Sequence, residues 1–119
     1  MSMRQREIPE SEQPWPEKFR VVAKQWVEAD AAASLMEELK TTTLATKKAA
    51  LIAKEGDMPD TKAERKVKAG ADWNEYITTM CKLRKEANLL KMQLKYIEMN
   101  FMMNQSMEAT GRAEMKMTR

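Results

Sequence analysis

Residues 76–104 read YITTMCKLRKEANLLKMQLKYIEMNFMMN, and this stretch decides the fold. It contains no Pro and no Gly and is dense in Leu, Met, Lys and Glu, all strong helix formers. Alternating steps of four and three residues pick out Tyr76, Met80, Leu83, Ala87, Leu90, Leu94, Ile97, Phe101 and Asn104. That heptad stripe is the pattern of a helix buried against another helix. From Leu89 a second apolar row joins it: Leu89, Met92, Tyr96, Met99 and Met103. At about 100° per residue the two rows lie roughly 140° apart around the helix. One neighbouring helix cannot cover both, so the spacing predicts a helix inside a bundle or an oligomer.

Outward from that stretch the punctuation is sparse. The chain has 119 residues, enough for one domain with a modest core, and only three Gly and four Pro. EGDMPD at 55–60 is the clearest interruption. Gly56 can take a backbone conformation that closes a helix, and Pro59 forbids its continuation. Thr61 and Glu64 then form a T-x-x-E capping-box pattern for the next helix. On this reading helix 2 runs from Lys62 to about Asn104, or on to Met117, with 105–119 otherwise a tail; Gly70 near its start and Gly111 near its end are its weak points. Forty-three residues at 1.5 Å each would reach roughly 65 Å.

Before the turn at 56–60, PWPEKF marks a helix entrance, with Pro16 suited to the first turn and Glu17 complementing the helix dipole. Helix 1 is predicted over about 16–55. Its early stripe is Phe19, Val22, Trp26, Ala29, Ala33 and Met36. Its later one is Ala32, Leu35, Leu39, Thr42, Thr46, Ala49 and Ala53, small enough for a helix to approach closely. The β-branched run Thr41–Thr43 is its weak point, and a kink near residue 43 is the alternative. Residues 1–13 are polar, lack periodicity and read as a flexible arm ahead of a single helical domain at 14–119. The expected fold is all-α: a long antiparallel helical hairpin or coiled coil, with so little core of its own that it assembles into an oligomeric bundle.

Composition narrows the chemistry. There is no His, which removes the commonest general base and metal ligand. Cys81 is the single cysteine and cannot form an internal disulfide, which fits a reducing compartment. It lies beside the apolar stripe, where a small inert core residue is expected. Glu37 and Glu38, or Asp57 and Asp60, have no recognisable metal spacing, and there is no phosphate-binding Gly loop or nucleophile elbow. The reading is a protein that is not an enzyme, with no cofactor, no metal and no small-molecule substrate. No apolar run approaches the roughly 18 residues of a membrane span, and the first residues lack a secretory apolar region. A soluble protein without a membrane partner is expected.

Two surface features point to partners. Eight of the twelve Met occur from Met80 onward, and a Met-rich face adapts to partners of irregular shape. Charge is the other: residues 1–60 hold 9 Lys/Arg against 11 Asp/Glu, whereas 61–119 hold 12 against 7. On a straight second helix Lys62, Lys66, Arg84, Lys91 and Lys95 would fall within roughly 60° of one another. Such a stripe, with Arg112, Lys116 and Arg119 of the tail, could track a phosphate backbone. Glu98 shares the stripe and no exposed aromatic offers a stacking platform, so a solvated face is the better account.

The segment 63–116, AERKVKAGADWNEYITTMCKLRKEANLLKMQLKYIEMNFMMNQSMEATGRAEMK, resembles small helical proteins encoded by bacteriophages and prophages. The likeness is carried by KLRKEANLLKMQLKYIEMNF and by the closing SMEATGRAEM, where Arg112 and Glu114 match the most distinctive part. It implies an accessory protein of phage DNA replication or recombination regions, working in the bacterial cytoplasm. The leading expectation is therefore a non-enzymatic interaction protein. It would self-associate through Tyr76, Met80, Leu83, Leu90, Leu94, Ile97, Phe101, Met92, Tyr96, Met99 and Met103, and would modulate or inhibit a DNA-processing or host-defence protein. The rivals are a nucleic-acid-binding accessory protein and a structural oligomer.

Overall fold

A computed structural model of the protein describes residues 15–117, of which 94% are helical and none is in a strand. The expected arm at 1–13 lies outside the described residues. Four helices follow in order among the described residues: α1 (Trp15–Glu38), α2 (Lys40–Glu55), α3 (Asp60–Ala69) and α4 (Ala71–Met117). The chain forms two compact units, residues 27–88 and the remainder on either side of them.

The helix expected over 16–55 is divided at Leu39, which sits at φ −83°, ψ −2°. The interruption is slight, because Leu39 N–H still donates to the Leu35 carbonyl (3.0 Å) and Thr43 N–H to the Leu39 carbonyl (2.8 Å). Beyond it, Thr46 Oγ1 donates back to the Thr42 carbonyl at 3.0 Å, a side-chain bond that bends helices. The early stripe is inward except at its start: Phe19 is exposed, Val22 and Ala33 are buried, and Trp26, Ala29 and Met36 half-buried. The later stripe is a correction. Ala32, Leu35, Leu39, Thr42, Thr46, Ala49 and Ala53 are all exposed. A rhythm carried across Leu39 does not describe α2, whose less exposed positions are Thr43, Leu44, Lys47, Lys48, Leu51 and Ile52.

Gly56 ends α2 at φ 97°, ψ 173°, a region that only glycine occupies freely, with its N–H on the Ile52 carbonyl at 2.8 Å. The capping box does not form. Pro59 precedes α3, no side chain caps it, and Glu64 bonds Lys68 at 2.9 Å instead of reaching back. Proline's fixed φ already suits this position, at φ −57° and ψ 144°. α2 and α3 pack on each other, with Lys48 Nζ 3.0 Å from Asp60 and Lys66 Nζ 3.0 Å from Glu55.

The second correction is at Gly70, where the helix expected from Lys62 divides. Gly70 is extended (φ −77°, ψ 155°); its N–H closes α3 on the Val67 carbonyl. Its carbonyl opens α4, accepting from the Asn74 N–H at 3.2 Å and from Asn74 Nδ2 at 2.9 Å. A Cβ there would lie 3.2 Å from the Val67 oxygen, so the turn favours a residue without one. α4 then continues through Gly111 to Met117. Its last turns are rich in helix-forming Met, Glu, Ala, Arg and Lys, which offset the cost of one glycine, about 1 kcal/mol.

Within residues 27–88, α1 and α4 run antiparallel. Tyr76 Oη donates to the Met36 carbonyl at 2.5 Å, and Arg84 reaches Asp30 at 2.7 Å, so the α4 numbers rise as the α1 numbers fall. Met36 belongs to the last turn of α1, where carbonyls lack an intrahelical partner. Trp73 is buried and stacks on Tyr76, ring centroids 5.6 Å apart. In the other unit, Val22 and Ile97 are buried, and Trp15, Phe19, Ile97 and Phe101 line an apolar cavity of about 310 Å³. Lys18 Nζ sits 5.0 Å from the Trp15 ring, and Glu17 pairs with Arg20 at 2.5 Å.

Candidate partner-binding surface

α4 sorts its two apolar rows by exposure. On the first row Ala87 and Ile97 are buried, and Tyr76, Met80, Leu83, Leu90 and Leu94 are half-buried. Phe101, at the edge of the apolar cavity, is 37% exposed. On the second row Leu89, Met92, Tyr96, Met99 and Met103 are 56–68% exposed. A side chain of this size normally loses most of its surface when it belongs to a packed core. Here five in succession keep more than half of it, on one side of one helix.

The row does not stop at Met103. Continued at the same three-four spacing it passes through Ser106, Thr110, Ala113 and Met117, all exposed. Met102 and Met107 flank it and are exposed as well. A contiguous apolar face of this kind marks a binding surface more often than an accident of composition.

The basic residues do not share one helix. Lys62 and Lys66 lie on α3, whereas Arg84, Lys91 and Lys95 lie on α4, with extended Gly70 between the helices. Lys66 bonds Glu55. Arg84 is committed to α1: its Nη1 donates to Asp30 at 2.7 Å, and its Nη2 to Ser34 at 3.2 Å and to Glu37. The hydrogen bonds from Arg84 hold the Glu37 carboxyl below its usual range, and those to Glu37 and Asp30 push the guanidinium further up. Arg84 thus acts as a brace between two helices. Lys62, Lys91, Lys95 and Lys116 are exposed, Arg112 Nε donates to the Glu108 carbonyl at 3.4 Å, and Arg119 lies outside the described residues.

Reading the sequence missed Asp30, Ser34 and Glu37 as the partners of Arg84. Their spacing was visible, since four and three residues apart they form a polar row on one side of α1. Cys81 is a correction: it is exposed, not a core residue. Met92 and Met99 lie outside the core of this chain, whereas Met80 is half-buried.

Of the other features, a cavity of about 440 Å³ between α2, α3 and the start of α4 has Leu51, Val67 and Trp73 beside Lys47, Lys54 and Asp72. Among the described residues no group of three or more Cys, Asp or Glu is arranged to hold a metal, and no helix is long and apolar enough to cross a membrane. Comparison of the chain with protein-family models, with curated proteins and with solved structures gives no match.

Proposed function

We propose that the protein is a non-enzymatic interaction module that works by packing a helix of another polypeptide onto the outer face of α4. The observation that carries this reading is the exposed row Leu89, Met92, Tyr96, Met99 and Met103. Apolar area of that extent gains free energy only when something covers it, at roughly 25 cal/mol per Å². Its methionines, flexible and polarisable, suit it to a partner helix of imperfect complementarity. In this reading α1 and α4 form a long antiparallel hairpin that completes its core in an assembly. The target we propose is a DNA-processing or host-defence protein in the cytoplasm of a bacterial host, modulated or inhibited by occupancy; this part of the proposal rests on the sequence resemblance of residues 63–116 alone.

Methionine oxidation in intact cells tests this. Cells producing the full chain are exposed briefly to hydrogen peroxide, and peptide masses report the oxidation of each methionine. Met115, 69% exposed and off the row, is the internal reference. Met92, Met99 and Met103 are expected to oxidise several-fold more slowly than Met115. Equal rates at all four would mean that the face stays open to water and would overturn the reading.

A further inference from the structure

We infer that the occupant of this face is a second copy of the same chain, paired α4 to α4 along the row from Leu89 to Met117. This rests on the interaction reading above and names the partner for it. The first support is the register. Leu89, Tyr96, Met103, Thr110 and Met117 recur every seven residues, and Met92, Met99, Ser106 and Ala113 recur every seven between them. That is an a/d seam, and the surface that fits such a seam is another helix carrying one. It spans four heptads, roughly 43 Å of helix, within the three to four that sustain a coiled coil. The large side chains of its first half supply apolar area. Ser106, Thr110 and Ala113 in the second half let two backbones approach.

The second support is charge. A helix built to choose a different partner carries opposing charges beside its seam. Here the flanking positions are Gln93, Asn100, Met107 and Glu114 on one side and Lys95, Met102, Ala109 and Lys116 on the other. Lys95, Glu114 and Lys116 are the charges among these eight, so two copies bring no run of like charge together.

The third support is what else could cover the row. Residues 1–14 and 118–119 contribute only Met1, Met3 and Ile8 as large apolar side chains, against five in the first half of the seam alone.

The test is sedimentation equilibrium of the purified full chain, with Met99→Lys and Tyr96→Lys as variants. The 13.8 kDa chain is expected to sediment as a dimer or larger at micromolar concentration. Each variant places a charge in an apolar layer in both copies and is expected to raise the dissociation constant on the order of 100-fold. Both side chains are more than 60% exposed in the single chain, so circular dichroism should read unchanged helicity. A wild-type monomer would overturn the inference, as would a dimer that neither variant weakens. A wild-type monomer whose Met92, Met99 and Met103 are still protected in cells would assign the face to a different protein. That result refutes the second copy and leaves the interaction reading standing.

Discussion

Tyr96 and Ile97 are adjacent in sequence, about 100° apart around α4 and on different apolar rows, so truncating each to alanine tests the orientation of the helix directly. Ile97 is 7% exposed, Tyr96 67%. Ile97→Ala removes three carbons, each worth about 0.8 kcal/mol when buried, and nearly all of that is lost: about 2.2 kcal/mol. A sealed void would add a further cost. Ile97, however, already borders the 310 Å³ cavity, which absorbs the missing volume, so the value belongs at the low end of the range for such substitutions. For a domain of this size it corresponds to a fall in Tm of about 10 °C. Tyr96→Ala should act differently. It removes nothing from the core of the single chain, so its effect on Tm must come through association and must shrink as the protein is diluted. The assay is thermal unfolding by circular dichroism at three protein concentrations spanning two decades. The Ile97→Ala shift should persist at the lowest concentration, and the Tyr96→Ala shift should fade. The opposite pattern would mean that α4 is rotated by about 100° from the orientation described.

Three further outcomes follow from the same structure. Leu94 is half-buried on the inner row, so Leu94→Ala should cost about 1–2 kcal/mol, whereas exposed Lys91→Ala should stay within about 0.5 kcal/mol in denaturant titration. Arg84 holds the Glu37 carboxyl below its usual range, so this contribution to stability is present above the unfolded value of about 4.3 and is lost as pH falls through the folded one. Tm should therefore drop between pH 5 and pH 3, and Glu37→Gln should flatten part of that drop; an unchanged acid profile would count against the brace. Gly111 lies inside α4 with nothing within 4 Å of the position a Cβ would occupy, so Gly111→Ala should raise helicity and add about 0.5–1 kcal/mol. A loss of helicity would refute an unbroken α4.

What could be read in advance and what could not has a physical dividing line. Spacing within one uninterrupted helix was readable: the inner row of α4 and the early stripe of α1 both have their buried residues where heptad steps put them. Spacing carried across a discontinuity was not. The turn at Leu39 resets the face of α2, and the extended backbone at Gly70 separates Lys62 and Lys66 from the basic residues of α4. Gly70 was visible as a weak point, but one glycine either interrupts a helix or is carried by it. Gly111 is carried and Gly70 is not, because only Gly70 has a neighbour, Asn74, whose amide and backbone N–H both bond its carbonyl. The Arg84 brace escaped for another reason: an ion pair between residues about fifty apart depends on which helices meet, and charge alone does not say which.

The exposure of the second row was legible in principle, and the reason bears on its use. The inner row runs the whole way from Tyr76 to Phe101, whereas the second begins only at Leu89; upstream, its side of the helix carries Thr78, Lys82, Lys85 and Glu86, all exposed. A neighbouring helix that must pack along α4 gains more by taking the longer row. Two small buried residues, Ala33 on α1 and Ala87 on α4, fit that choice, since such positions let helix axes come close. The shorter row is then left outward for want of a second α1. Its leucine, tyrosine and three methionines stand at core spacing without a core. Substituting them should therefore change what the protein associates with before it changes how the protein folds.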